Sequence, residues 1–279
     1  TPALCVAAAT QDAAAKADYS SVPRLQFNQQ AVERNQPLFW IRDVNGDGAI
    51  DPSELAVIWG PGDASLDRYV ANGHFTPAFA EAFARIATPV SFNGLGESEL
   101  ARRQAVRTEL AQGRPTLVLT TLTAARDAQL VGHLEKVARI VERLYARQNG
   151  VFGLDAGIPA DDTMSRALFF RNQGPFCEAP KTENDPACNA LAPRPKRVSG
   201  LYPASIQSDP NFCAVLEKRA DADALFNQFS VVAHKPGGRA KGDPAGDDLV
   251  AVPYHVAYAE DMKAVSAELR AAAGLLAGD

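Results

Sequence analysis

Apolar residues recur at steps of three and four through the middle of the chain, and that spacing predicts helix. Leu117, Leu119, Leu122, Ala125, Leu130, Leu134, Val137, Ile140, Val141 and Leu144 follow it, so one long helix or two consecutive ones are expected within residues 115–148. Gly132 inside that pattern marks a candidate close helix crossing. Thr76 followed by Pro77 opens a second periodic segment that runs to Ala87, with a capping hydroxyl and a proline at the first helical position. Residues 97–112 read as a charged helix, and residues 258–276 as a final amphipathic helix carrying Met262, Val265, Leu269 and Leu275. Asp161-Asp162-Thr163 is expected to cap a helix that carries Met164 to Phe170. Two segments differ. Residues 229–235 (FSVVAHK) and 248–255 (DLVAVPYH) predict strands, and the Gly/Asp-rich stretch between them predicts a hairpin. Residues 1–36 are Ala-rich and polar, expected to be helical in part. Residues 172–212 are rich in Pro, Asn, Asp and Gly, yet Phe176, Tyr202 and Phe212 recur there, which predicts a long ordered loop rather than a linker. The fold class is therefore mainly α (α+β), a helical chain with a small antiparallel β element. Composition divides it into residues 1–112 and 113–279.

The chain of 279 residues is 46% hydrophobic, enough to bury a core. Its net charge of −5 arises from 28 basic and 33 acidic residues spread along the sequence. No basic stripe forms, so nucleic acid is not an expected partner. No apolar run reaches the ~18 residues of a membrane-spanning helix. The first ten residues lack the charged start and apolar stretch of an intact signal peptide and look like a processed, mature N-terminus.

One segment carries chemistry outright. Residues 43–54 read DVNGDGAIDPSE, the spacing of an EF-hand-type calcium loop. Asp43, Asn45 and Asp47 supply side-chain oxygens at loop positions 1, 3 and 5, Ala49 a backbone carbonyl at 7, Asp51 an oxygen at 9, and Glu54 a carboxylate at 12. Gly48 meets the sharp turn at position 6, and Ile50 anchors the loop to a core. Calcium takes about six to eight oxygens, and this spacing provides them. The alternative is an Asp/Gly-rich surface turn. No second loop of the kind is found: residues 155–162 (DAGIPADD) lack both the glycine and the closing glutamate. Pro37 interrupts the entering segment, and Gly60-Pro61 would stop an exiting helix after a couple of turns. A lone site on short flanks reads as a structural staple rather than a sensor, because a sensor must open a helix pair.

Cys5, Cys177, Cys188 and Cys213 include no C-x-x-C, so a thiolate metal site is disfavoured. A disulfide between Cys177 and Cys188 would staple a polar loop with little core of its own. Even cysteine number, calcium loop and low methionine content fit an exported protein; the alternative is four reduced, buried cysteines. His74, His133, His234 and His255 show no H-E-x-x-H and no pair four apart, so a zinc site built from this chain alone is not expected. His133 reads as a packed or partly exposed helix residue. His234 and His255 fall at opposite ends of the hairpin and would not share a site. No G-x-S-x-G elbow and no Gly-rich phosphate loop occurs.

Four segments in order then resemble one family. The helix ending in Tyr145-Ala146-Arg147-Gln148, the run Asn172-Gln173-Gly174-Pro175-Phe176 (N-x-G-P-[WF]), the turn Leu201-Tyr202-Pro203, and Val252-Pro253-Tyr254 with Ala257-Tyr258 and its helix resemble bacterial relatives of dipeptidyl peptidase III. The resemblance spans residues 115–277; the calcium loop lies outside it and is not a general feature of that family. It implies a two-lobed zinc metallopeptidase with a peptide substrate. The family's zinc ligands, on a His-Glu-containing helix plus a second Glu, match no residue here. Zinc and the catalytic half are therefore expected outside these residues, and this chain as the non-catalytic wall of the cleft. Asn172, Tyr202 and Tyr254 become candidate cleft residues, with loop-stabilising roles as the alternative. The rival expectation is an exported calcium-binding module without enzymatic activity, and a third is an enzyme of another type using His234 or His255 with nearby carboxylates.

Overall fold

The computed structural model describes residues 18–58, 65–116, 125–236 and 248–276. The chain forms two compact units, Thr1–Ser91 and Phe92–Asp279. The division falls before the expected 112/113 boundary because the helix of residues 97–111 shares its buried polar contacts with later segments.

In the first unit, α1 (Arg24–Glu33) leads into β1 (Leu38–Trp40), which pairs antiparallel with β2 (Leu55–Val57). A two-residue hairpin joins β3 (Val70–Ala71) to β4 (His74–Phe75), and α2 (Pro77–Ala87) follows. Its turn, Asn72-Gly73, has positive φ at both residues (51° and 75°), the conformation a tight hairpin of right-handed twist requires. The cap expected for α2 forms: the Thr76 hydroxyl oxygen accepts the Phe79 N–H at 3.4 Å. Phe27, Leu38, Trp40, Ile50, Leu55, Phe79 and Ile86 form the core, all nearly inaccessible. Asn28 is buried among them without penalty because it imitates a strand. Its amide donates to the Trp40 carbonyl at 3.0 Å, and its carbonyl accepts the Trp40 N–H at 2.7 Å.

The second unit contains α3 (Glu97–Ala111), α4 (Ala125–Gln148), α5 (Thr163–Asn172), α6 (Phe212–Glu217), α7 (Ala222–Leu225), β5 (Ser230–His234), β6 (Leu249–Pro253), α8 (Tyr254–Ala257) and α9 (Ala259–Leu275). The mainly α character holds, with two-stranded antiparallel sheets only among the described residues. The β5–β6 hairpin takes the expected antiparallel register, His234 opposite Leu249 and Ser230 opposite Pro253. Ile206, Leu216 and Leu225 pack against Val232 and Leu249 of the hairpin. The part of the 115–148 pattern at 117–124, the hairpin turn at 237–247 and Cys5 lie outside the described residues.

Polar groups hold α3 and α5 together. Arg102 is buried and donates to Glu99 (2.6 and 2.8 Å), the Ser165 hydroxyl (2.8 Å), the Asn189 carbonyl (3.0 Å) and Asp162. Asp162 also caps α5, accepting the Ser165 N–H at 3.1 Å, as expected. The Cys177–Cys188 disulfide forms, whereas Cys213 is free and exposed. Gly132 does not mark a crossing: a Cβ built there meets nothing within 4 Å. The close approach lies elsewhere, where a Cβ on Gly200 would sit 1.6 Å from the Arg147 carbonyl oxygen.

Gly200→Ala is therefore expected to cost at least about 2 kcal/mol, because backbone must move. Gly132→Ala should instead gain about 1 kcal/mol, the helix propensity difference; the two melting temperatures check both signs. A second expectation concerns acid. Hydrogen bonds from Arg102 hold the Glu99 carboxyl at about 2, against an ordinary 4.5. A folded-state value below the unfolded one stabilises the fold above pH 4.5, and that stability disappears as pH falls through about 2. Glu99→Gln should flatten stability over that window in acid titrations.

Candidate functional site

The loop of residues 43–54 bridges β1 and β2. The helix expected to leave it is absent. Pro52–Glu54 makes one 3-10 turn, and Leu55–Val57 continues as β2. The reason is the flanking sequence: Leu38-Phe39-Trp40 and Leu55-Ala56-Val57 are short apolar runs whose Leu38, Trp40, Leu55 and Val57 pack on one core, and they complete each other's backbone hydrogen bonds across the loop. Gly60-Pro61 lies outside the described residues.

Within the loop, side-chain oxygens take up successive backbone N–H groups. Asp43 accepts from Gly46 (2.7 Å) and Gly48 (3.1 Å), Asn45 from Asp47 (3.1 Å), and Asp47 from Ala49 (2.8 Å). Gly46 and Gly48 have φ of 72° and 74°, which explains both glycines. Ile50 is 2% exposed and packs into the core as expected. Glu54 is also only 2% exposed. Its Oε2 accepts the Trp40 indole N–H at 3.0 Å and the Asp51 N–H at 3.1 Å, while Oε1 accepts the Val44 N–H. Asp51 and Glu54 thus form a reciprocal capping box. The Asn45 amide nitrogen stands between Asp47 (3.0 Å) and Asp51 (2.9 Å). Rotating that carboxamide by half a turn would present an oxygen instead. Oxygens of Asp43, Asn45, Asp47, Asp51 and Glu54 keep lone pairs beyond these bonds, and with the Ala49 carbonyl they form an all-oxygen donor set suited to a hard cation. No three of these carboxylates lie within 4.8 Å of one another, so gripping a single ion requires the loop to tighten.

In the second unit, ligand-type atoms of Glu109, Cys177 and Cys188 do lie within 4.8 Å of one another. The two sulfurs are bonded together, so neither is a thiolate ligand in this state. Glu109 is fully engaged as well. It accepts from Arg171 (2.7 Å), Asn172 (3.0 Å), the Glu178 and Ala179 N–H groups (3.2 and 3.1 Å) and the Thr182 hydroxyl. Burial pushes its carboxyl up, but bonds from Thr182, Asn172 and the two N–H groups outweigh that and leave it lowered.

Asn172 is shared between this network and a cavity of about 320 Å³, lined by Tyr145, Gln148, Asn172, Glu178, Lys196 and Arg197 among others. The Arg197 guanidinium lies 4.0 Å from the centre of the Phe176 ring and 3.7 Å from Glu178. Tyr202 and Tyr254 do not line this cavity. Tyr202 packs edge-on to Phe212 and donates to the Leu225 carbonyl at 3.4 Å, and Tyr254 contacts Phe229 and Tyr258. Burial pushes the Tyr202 phenol up. The three candidate cleft residues are thus not brought to one place.

A second constellation gives His234, one of the two histidines offered with nearby carboxylates, a specific partner. Asp248 Oδ2 is 2.7 Å from His234 Nδ1, and the Ser205 hydroxyl is 3.4 Å from Nε2. The hairpin register held the clue, since His234 opposite Leu249 places Asp248 beside it. Ser205 is exposed and none of the three residues lines the cavity. The Ile206 N–H beside it is occupied by the Pro203 carbonyl, so a hydroxyl attack there would lack an adjacent oxyanion donor. His133 pairs with Glu268 at 2.6 Å and joins α4 to α9, while His74 and His255 are exposed.

No protein-family model matches this chain, and no curated protein or solved structure matches it either. The fold and the disulfide define a mainly α protein of two units, and the sites must be judged on their own chemistry.

Asn172→Ala is expected to cost about 1–3 kcal/mol, because it strips the buried Glu109 carboxylate of one donor; denaturant unfolding measures it.

Proposed function

We propose that the first unit is a calcium-binding module of an exported protein, in which the ion acts as a staple. One observation carries the reading. The closing glutamate of the loop, Glu54, is buried and bonded to the indole of Trp40 at the centre of the core, so the ion's ligand set and the hydrophobic core share a residue. Asp43, Asn45, Asp47, Asp51, Glu54 and the Ala49 carbonyl would hold the ion. Calcium would supply the positive charge that lets four carboxylates stand together and would draw in Asn45 through its oxygen. Strand flanks suit a staple: no helix pair is present at the loop to swing open.

A second reading rests on the cavity. Its walls include Asn172, Gly174 and Phe176 of the N-x-G-P-[WF] segment and the stretch just before the Tyr202-Pro203 turn, and charged groups of both signs stand in its lining. That supports a peptide-binding wall in a zinc peptidase of the dipeptidyl peptidase III type. Zinc there would activate water for attack on a peptide carbonyl, held by residues outside this chain. Peptide binding at the cavity, lost in Arg197→Glu, is the observation this second reading requires.

For the calcium reading, titration calorimetry should show one site, and calcium should raise the melting temperature while chelator lowers it. In a Trp59→Phe background, Trp40 fluorescence should respond to calcium. Glu54→Gln should weaken binding at least about tenfold and abolish the calcium-dependent rise in melting temperature together. A melting temperature indifferent to calcium and chelator would sink the staple.

A further inference from the structure

Among the described residues, the α4–α9 pair leaves one side bare. Its two helices run antiparallel and are joined by His133 and Lys136 to Glu268 (2.6 and 3.5 Å) and by Arg143 and Arg147 to Asp261 (both 2.6 Å). Between them they bury little: Leu144 on α4, and Asp261 and Ala272 on α9. Leu134, Val141, Tyr145, Met262, Leu269 and Leu276 remain between 40% and 51% exposed.

These apolar residues are placed in order. Leu134 follows His133, Met262 follows Asp261, and Leu269 follows Glu268, so each sits about 100° round its helix from a residue that faces the partner helix. Val141 and Leu276 repeat the positions seven residues on. Because the helices are antiparallel, one residue's step turns them in opposite senses viewed down the pair. Both stripes therefore emerge on the same side of the two-helix layer. One step further round, the edges carry opposite net charge: Glu135 and Glu142 on α4, with Arg139 beside Glu142, and Lys263 and Arg270 on α9, with Glu260 paired to Lys263 at 2.7 Å. The ion pairs set the register, so Glu135 stands level with Arg270 and Glu142 with Lys263.

We propose that this face is a homodimer interface, in which two copies complete a four-helix bundle about a two-fold axis parallel to the helices. A two-helix layer with a seven-residue apolar repeat needs a second layer to cover it. The edge charges select a second copy in this one arrangement. A two-fold parallel to the helices lays α4 on the α9 of the second copy at the same level, with Leu134 against Leu269, Val141 against Met262, Glu135 beside Arg270 and Glu142 beside Lys263. The perpendicular two-fold stacks α4 on α4 and sets acid against acid and base against base, which is disfavoured.

Sedimentation velocity on the full chain tests it. The expected species has twice the mass of the 29.7 kDa chain. Glu135→Lys with Glu142→Lys should weaken association at least about tenfold, as should Lys263→Glu with Arg270→Glu. Mixing those two variants should restore the dimer, and so should all four substitutions in one chain, because each restores both sets of opposite charges. Circular dichroism at the wild-type value confirms the fold of each variant. A wild-type chain that stays monomeric at every concentration, a dimer indifferent to the reversals, or a mixture that does not reassociate overturns the proposal; the first outcome would leave the face to a different partner, such as further chain or a peptidase lobe.

Discussion

The second unit depends on a carboxylate taken almost wholly out of solvent. Glu109 is almost wholly buried, and the groups that satisfy it come from α5 and from the loop closed by the disulfide. Leaving such a charge unpaired would cost several kcal/mol, so these segments cannot drift from α3 without a heavy penalty. Arg102, two turns earlier on the same helix, does the converse with a buried cation and the opposite charges of Glu99 and Asp162. One helix therefore orders a long, proline-rich segment that has little apolar mass of its own. The disulfide closes a short loop and adds an entropic contribution of about 3 kcal/mol beside this network.

The first unit uses the same device differently. Glu54 is buried as deeply, but its donors are a Trp indole and two backbone N–H groups of its own loop, with no arginine among them. A buried carboxylate held only by neutral donors is the natural end-point of a cation site. The two units thus pose one electrostatic problem and answer it with guanidinium groups in one case and, on the proposed function, with a bound ion in the other.

What could be read from the chain was the local chemistry. Thr76, Asp162, the β5–β6 register and the helix at 259–275 all follow from caps and periodicity over a few residues. The strands around residues 43–54 were not legible, because three apolar residues in a row fit strand and helix alike and only their mutual pairing decides. Arg102 and Glu109 were invisible for another reason. On a charged helix they read as solvent-facing, and their partners lie some sixty to seventy residues away in sequence. The cavity was foreshadowed at Asn172 but not at Tyr202 or Tyr254, whose rings serve local packing. His234 was offered with a nearby carboxylate, but Asp248 was not named as that carboxylate, although the predicted hairpin brings the two together.

The hydrogen bond between His133 and Glu268 spans 135 residues of sequence. At a synthesis rate of about 5–20 residues per second, α4 leaves the ribosome on the order of ten seconds before α9 exists. Through that interval α4 has neither its partner helix nor its salt bridges, and its apolar positions stay wet. The clasp between the two helices cannot form before residues 259–275 are made, and its 135-residue separation carries a loop-closure cost that helix formation alone does not.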